Sequence, residues 1–240
     1  MLKSRLCIAF FAFAVGCAPA QKPLTDYVNP MLGTATLWDS VDLGFKPTKR
    51  TWGAEVFPGS SLPNAMVQVS PVTKFHSGAG YQYEDSVIYG FTHTNKGHWN
   101  LCHIPLLPVT GTPTPGDYCS PFSHERESAA PGYYQVFLDR YGVDAQLSST
   151  LRCAFHKYTY PAGAAASLLA DLQRSNEHVR AWDIRKEGDN VFAGWQQTGE
   201  KMYFYAVANR PVTGIEPVVE GDREVRIVRF GEGDGALELR

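Results

Sequence analysis

Short apolar runs separated by turn residues are the feature that most constrains the fold of this 240-residue chain. Turn signals between the runs include Pro131-Gly132, Tyr141-Gly142 and the glycine-rich stretch 231–235. Several runs alternate apolar and polar residues, which is the period of a half-buried strand. Strand-length runs at this spacing predict an all-β fold, an antiparallel β-sandwich. The predicted strands are residues 65–70, 104–110, 133–138, 143–149, 151–160, 191–195, 202–208, 224–230 and 236–239.

Two segments fit this pattern less simply. Residues 104–110 contain Pro105 and Pro108, and prolines within a run predict an edge strand or an irregular one. Residues 162–182 are rich in strong helix formers. Within them, residues 167–172 are equally consistent with a buried strand, so the residue pattern alone leaves this segment open.

Composition excludes several classes of protein. Hydrophobic residues make up 44% and charged residues 19% of the chain, which argues against intrinsic disorder. The 22 Lys and Arg residues are balanced by 24 Asp and Glu residues, so the basic surface of a nucleic-acid-binding protein is not expected. The 22 glycines and 16 prolines argue against a coiled coil or a helical bundle.

Residues 1–20 are predicted to be an export leader. Lys3 and Arg5 precede an apolar stretch at residues 7–15, which is too short to span a bilayer. Residues 18–20 form an A-x-A-like cleavage site, whereas residues 14–17 resemble a lipobox and would make Cys17 the lipidated residue. Both alternatives predict an exported protein, either periplasmic or an outer-membrane lipoprotein of a bacterium.

Three cysteines, Cys102, Cys119 and Cys153, follow the leader. An odd number does not form a complete disulfide framework. Because Cys102 and Cys153 lie in apolar, strand-like sequence, we expect buried free thiols.

The densest polar cluster lies in residues 91–103 and contains His93, His98, Trp99 and Asn100. Three interpretations compete: a zinc site, a hydrogen-bonded turn between strands, and a site for a polar ligand. No paired cysteines accompany the histidines, which weakens the zinc interpretation. An aromatic ring beside hydrogen-bonding side chains suits a sugar, because the ring stacks on the C–H face and the polar groups bind hydroxyls.

Carboxylates for glycoside hydrolysis cannot be chosen from sequence, because such pairs meet in space. The candidates are Glu55, Asp85, Asp171 and Glu177. Each is expected to be a solvated or capping carboxylate.

Five segments, in chain order, resemble the glycoside hydrolase family 92 mannosidases: YVNPMLGT at 27–34, and residues 56–73, 80–100, 131–161 and 168–172. The resemblance implies an N-terminal β-sandwich of the galactose-mutarotase-like supersandwich type at residues 21–240, truncated before a helical (α/α)₆ catalytic domain. It also implies a strand at 167–172. The implied activity is that of a calcium-dependent, inverting exo-α-mannosidase whose catalytic carboxylates and most calcium ligands lie in the missing helical domain. No calcium or other metal is expected in this chain, which should be inactive alone.

The resemblance also implies that this domain lends loops to a pocket for mannose-containing glycans, completed by the missing helical domain. Trp99 would stack on the sugar, and His93, His98 and Asn100 would bind its hydroxyls. The full set of expected substrate-binding residues is Gly33, Thr34, Glu55, Phe57, Gly59, His93, His98, Trp99 and Asn100. The alternative function is a free-standing carbohydrate-binding module without catalytic activity.

Overall fold

The computed structural model describes residues 22–36, 44, 54–95, 101–233 and 235–240, and nearly all regular structure in them is β-strand. Two short 3-10 helices, Leu24–Tyr27 and His124–Arg126, are present in this part of the chain. The strands in chain order are β1 (Ser60–Ser61), β2 (Gln68–Val72), β3 (Val87–Ile88), β4 (Gly90–Thr92), β5 (Leu106–Val109), β6 (Ser120–Pro121), β7 (Glu127–Ala130), β8 (Tyr133–Leu138), β9 (Val143–Ser149), β10 (Ala154–Thr159), β11 (Ser167–Ala170), β12 (Ala181–Gly188), β13 (Val191–Gln197), β14 (Lys201–Val207), β15 (Val212–Glu220), β16 (Arg223–Phe230) and β17 (Leu237–Leu239).

Two large antiparallel sheets form the architecture. One has seven strands in the order β1-β2-β4-β5-β11-β16-β15, and the other has five in the order β17-β10-β9-β8-β7. A three-stranded sheet, β12-β13-β14, and a two-stranded sheet, β3-β6, complete the described part of the chain. The predicted all-β antiparallel fold is therefore confirmed.

The two large sheets pack face to face around one core. Alternate residues of β8, namely Tyr134, Val136 and Leu138, are buried, as the period of a half-buried strand requires. Across the interior, the ring of Phe91 on β4 stacks with the ring of Tyr158 on β10 at a centroid distance of 6.2 Å. These contacts make the fold a sandwich.

The segment at residues 162–182 contains a strand rather than a long helix. Strand β11 lies inside the seven-stranded sheet, paired with β5 on one side and β16 on the other, and all four of its residues are buried. Two backbone ladders and the burial of Leu168 and Leu169 outweigh the local helix propensity. The strand implied by the family resemblance is confirmed.

Some expectations about strands are wrong. Of the two alternatives for residues 104–110, the edge strand is wrong, because β5 lies inside the seven-stranded sheet. The irregular strand fits, because β5 pairs with β4 only through Phe91 and Leu106. Strand β12 was not predicted, because its charged sequence lacks a clear apolar alternation. Strand β15 was also missed, because Pro217 interrupts it. An edge strand tolerates that proline because one side needs no ladder hydrogen bonds.

The cysteine prediction is half correct. All three described cysteines are free, and Cys102 is buried. Cys153 is exposed, because it lies in the turn before β10, where its backbone N–H donates to Thr150 Oγ1 at 3.1 Å. Residues 1–20, including Cys17, lie outside the described residues. No helix in the described part of the chain combines the length and apolar character needed to cross a bilayer.

Candidate functional site

Loops that are far apart in sequence meet around Asn176, in the loop that follows β11. The backbone N–H of Asn176 donates to Leu101 O at 2.9 Å. Its side-chain oxygen accepts from the backbone N–H of His76 at 2.7 Å, and its side-chain N–H₂ donates to Ser77 O at 3.1 Å. Asn176 therefore ties the loop after β11 to the loop before β5 and to the loop after β2.

Three of the predicted site residues join this assembly. A Cβ added to Gly78 would lie 2.6 Å from Glu55 Cδ, so Glu55 packs directly against the loop after β2. A Cβ on Gly33 would lie 2.8 Å from Ala54 Cβ, and Thr34 O accepts from the backbone N–H of Tyr83 at 3.2 Å. We define the loop cluster as residues 31–34, 54–57, 74–81, 101–104 and 171–178.

Backbone strain is concentrated in the loop cluster. Five of the six described non-glycine residues with positive φ lie there: Glu55 (53°), His76 (60°), Leu101 (70°), Cys102 (58°) and Ile104 (56°). Positive φ is uncommon without glycine and a marked outlier for a β-branched residue such as Ile104. Strain of this kind tends to gather at functional sites, because the surrounding structure must hold it in place.

A series of buried hydrogen bonds leads from the interior to the carboxylate of Glu177 in the loop cluster. The Thr94 hydroxyl accepts from the His103 backbone N–H at 3.1 Å and donates to His103 Nδ1 at 2.8 Å. This leaves the proton on His103 Nε2, which donates to Thr198 Oγ1 at 3.1 Å. The Thr198 hydroxyl donates to Glu177 Oε2 at 2.6 Å.

The Glu177 end of this series of hydrogen bonds is accessible to solvent. The Glu177 side chain is 32% exposed, whereas the side chain of His103 is buried. Burial lowers the pKa of His103, although Glu177 acts in the opposite direction. A carboxylate oriented in this way has lone pairs for hydroxyl groups of a ligand.

Two clefts adjoin the loop cluster and share His76 and Arg174 as lining residues. The larger cleft has a volume of about 760 Å³ and is lined by residues that include Glu177, His178, Arg180, Trp182 and Asp222. The smaller has a volume of about 530 Å³. Both volumes fall in the range of ligand pockets, about 300–1,000 Å³.

Arg174 stands between the two clefts and is held by aromatic rings. Its guanidinium carbon lies 5.4 Å from the ring centroid of Phe75, 5.2 Å from that of Tyr89 and 5.9 Å from that of Tyr118. Cation–π contacts of this kind fix a long side chain in one place. The Arg174 side chain and the three aromatic rings therefore form a packed border between the two clefts.

The Asp171 carboxylate binds Tyr118, one of the rings that pack against Arg174 at this border. It is buried, whereas the sequence predicted a solvated or capping carboxylate. Its Oδ2 accepts from Tyr118 OH at 2.7 Å and from Arg223 Nη2 at 2.6 Å. Burial raises its pKa, while the hydrogen bond from Tyr118 and the charge of Arg223 lower it, and burial dominates.

His93 lies at the base of the loop before β5, and both of its ring nitrogens have partners within the protein. His93 Nδ1 donates to Ile104 O at 2.8 Å, so Nε2 is free to accept from His156 Nε2 at 3.0 Å. His156 Nδ1 in turn accepts from Tyr158 OH at 2.7 Å. This arrangement satisfies two neutral imidazoles, and a ligand would find no free ring nitrogen on His93.

The remaining predicted site residues differ in their placement. Gly59 lies against β2, where a Cβ would be 2.0 Å from Val69 O, so it serves close packing of the backbone. Phe57 is half-buried next to it. His98, Trp99 and Asn100 lie outside the described residues.

No set of described residues fits a metal. In the ranges that the structure describes, no group of three or more His, Cys, Asp or Glu side chains could hold an ion.

Sequence reasoning missed several residues of the site. Asn176 and Thr198 were not predicted as site residues, although each joins separate loops. Thr94, which bonds His103 within its own loop, was not predicted either. Glu177 was only one of four candidate carboxylates. Asn176 and Thr198 carry no sequence signal of this kind, because the partners that they hold in other loops are about 20 to 100 residues away.

Comparison with known proteins gives a consistent family and fold. The family model described as the glycosyl hydrolase family 92 N-terminal domain matches residues 27–234. The chain is similar to the solved family GH92 alpha-mannosidase BT3965 from Bacteroides thetaiotaomicron, with 24% identity, 91% coverage of this chain and a TM-score of 0.77. That mannosidase has also been solved in complex with mannoimidazole, with a TM-score of 0.75 to this chain.

A further solved relative is the family GH92 inverting mannosidase BT2199 from Bacteroides thetaiotaomicron VPI-5482, with 22% identity, 92% coverage of this chain and a TM-score of 0.72. The chain covers 32% of the length of each of these solved structures. Identities at this level establish a shared fold. No curated protein in the comparison matches the chain.

Proposed function

Because the chain belongs to the glycosyl hydrolase family 92 N-terminal domain family, we propose that it is the sugar-binding domain of an exported exo-α-mannosidase. The observation that carries this proposal is the family match over residues 27–234. The whole enzyme would act by inversion on mannose-containing glycans. The solved relative bound to mannoimidazole supports this class of substrate.

The loop cluster is the proposed pocket wall. Glu177 would accept hydrogen bonds from sugar hydroxyls, and the backbone at Gly33, Thr34 and Glu55 would line the approach. Trp99 would stack on the pyranose ring, and His98, Asn100 and Phe57 would also contact the sugar. We assign His93 and Gly59 supporting roles, because the first is engaged by internal hydrogen bonds and the second by close packing.

Catalysis would require a second, helical domain. In the mechanism of an inverting glycosidase, one carboxylic acid protonates the leaving oxygen and a carboxylate activates water. We place both groups, and most of the calcium ligands, in the helical domain implied by the family. The present chain would hold and orient the glycan against it.

Export is part of the same proposal. Lys3, Arg5 and the apolar stretch at residues 7–15 support a leader. The protein would then be periplasmic, or anchored in the outer membrane of a bacterium through Cys17.

The pocket is tested by the Glu177→Gln variant. A hydrogen bond to a charged group contributes about 1.5–3 kcal/mol, so we expect methyl α-mannoside to bind roughly 10- to 100-fold more weakly. Isothermal titration calorimetry measures this effect. Glu125→Gln is the matched control, since Glu125 is an exposed carboxylate outside the loop cluster. Equal affinities for wild type and Glu177→Gln would refute the assignment.

A further inference from the structure

The small sheet β12-β13-β14 carries a row of exposed aromatic side chains on its outward face. Tyr203 is 72% exposed and Tyr205 is 65% exposed, both on β14. Their neighbours Met202, Phe204 and Ala206 pack against the core instead. The alternation is that of a strand with one solvated face. We call Trp195, Tyr203 and Tyr205 the aromatic face.

Strand register holds these three rings together. Trp195 on β13 pairs directly with Tyr203, and Ala193 pairs with Tyr205. Directly paired residues have Cβ atoms about 5 Å apart, and Tyr203 and Tyr205 are separated by two residues of strand, about 7 Å. Ala193 is small and buried beside Tyr205, so it leaves the tyrosine ring uncovered on that side.

The charges around the aromatic face are already balanced. Arg185 lies 2.5 Å from Glu187 and 3.8 Å from Asp183. Lys201 lies over the Trp195 ring, 3.8 Å from its centroid. With two cations and two carboxylates, the face carries no net charge and suits an uncharged partner.

We propose that the aromatic face is a second glycan-binding surface, which takes a neutral, hydroxyl-rich glycan chain along β13 and β14. Exposed rings on a rigid sheet stack with the C–H faces of sugar rings. Neighbouring polar groups, such as Gln197 and Lys201, supply hydrogen bonds to hydroxyls. The inference rests on the proposed function, because it extends sugar binding to a chain longer than the pocket holds.

The aromatic face is continuous with the larger cleft. Asp183 pairs with Trp195 in the sheet and also lines that cleft. A glycan lying on the face could therefore pass Asp183 and reach the loop cluster. This continuity favours a glycan over a second copy of the chain, which would cover the entrance.

The test uses two ligands, the tyrosine pair in a Glu177→Gln background, and one control substitution. Soluble α-mannan probes the aromatic face, and methyl α-mannoside probes the pocket. In the Glu177→Gln background we expect the Tyr203→Ala/Tyr205→Ala pair to weaken mannan binding at least tenfold in affinity electrophoresis. Phe155→Ala is the control, since Phe155 is 40% exposed on the five-stranded sheet. Circular dichroism checks that each variant is folded.

The outcomes separate this inference from the proposed function. Mannan binding that survives the tyrosine pair would overturn the second surface, while pocket-dependent binding of methyl α-mannoside would leave the proposed function intact. Wild-type protein that binds neither sugar would overturn both. Sedimentation showing a dimer that the tyrosine pair dissociates would assign the face to self-association and overturn the glycan surface.

Discussion

Acidification from pH 6.5 to pH 4 is expected to reduce the free energy of unfolding by about 3 kcal/mol through His93 alone. Burial lowers the pKa of His93 from 6.5 to about 4, and each pKa unit corresponds to about 1.4 kcal/mol. Burial and the neighbouring His93 also lower the pKa of His156, which adds to the effect.

The direction of this pH dependence follows from the number of protons that the folded and unfolded states bind. Below pH 6.5 the unfolded chain takes up protons on both histidines, whereas the folded chain keeps His93 neutral until about pH 4 and also resists protonation of His156. The unfolded state therefore binds more protons, so stability falls as the pH is lowered through this window. The hydrogen bonds between His93, His156 and Tyr158 use the neutral rings, which is why protonation would break the arrangement.

Urea unfolding at a series of pH values measures this dependence. The His93→Gln variant should show a shallower decline than the wild type. Tyr158→Phe is the control, because it keeps both histidines while removing a buried hydrogen-bond donor. It should lose about 1–3 kcal/mol at pH 6.5 and keep the part of the slope that comes from His93, which still bonds Ile104 O. A wild-type stability that stays constant from pH 6.5 to pH 4 would contradict the histidine arrangement.

Gly59→Ala should lower the free energy of unfolding by about 3 kcal/mol, the upper end of the usual cost of overpacking. The added Cβ would lie 2.0 Å from Val69 O and 2.6 Å from Ser70 Cα, and these backbone atoms of β2 cannot move without breaking its pairing. For a domain of this size the melting temperature should fall by roughly 10 °C.

Thermal unfolding followed by circular dichroism tests this prediction. Gly199→Ala is the matched control, because nothing lies within 4 Å of its added Cβ, and its melting temperature should match the wild type. The loss in Gly59→Ala should appear in stability and not in sugar affinity at low temperature. An unchanged melting temperature would mean that Gly59 does not approach β2 as closely as the structure has it.

Much of the fold could be predicted from the local alternation of apolar and polar residues in the sequence. Strands β8 and β9 have the predicted bounds, because each alternates buried and outward residues and is bounded by a turn whose glycine, Gly132 or Gly142, has positive φ. Strand β11 is different, since its residues favour a helix in isolation. Only pairing on both sides makes it a strand, and such pairing involves residues about 60 positions away.

The candidate site was less predictable than strands β8 and β9, because it too depends on contacts between residues that are far apart in sequence. Local motifs pointed to Gly33, Thr34 and Glu55, and these lie in the loop cluster. The link from His103 through Thr198 to Glu177 depends on contacts between three separate loops. No spacing in the sequence encodes such a contact, because His103 and Glu177 lie in loops next to β5 and β11 of the seven-stranded sheet, whereas Thr198 lies between β13 and β14 of the three-stranded sheet.

The most direct test of sugar binding at the loop cluster is a map of amide chemical shifts during titration with methyl α-mannoside. We expect perturbed amides to concentrate in residues 31–34, 54–57, 74–81, 93–104 and 171–178, with weak or no changes on β7 to β10. Perturbations spread over the outer face of the five-stranded sheet, or no perturbation at saturating sugar, would contradict it.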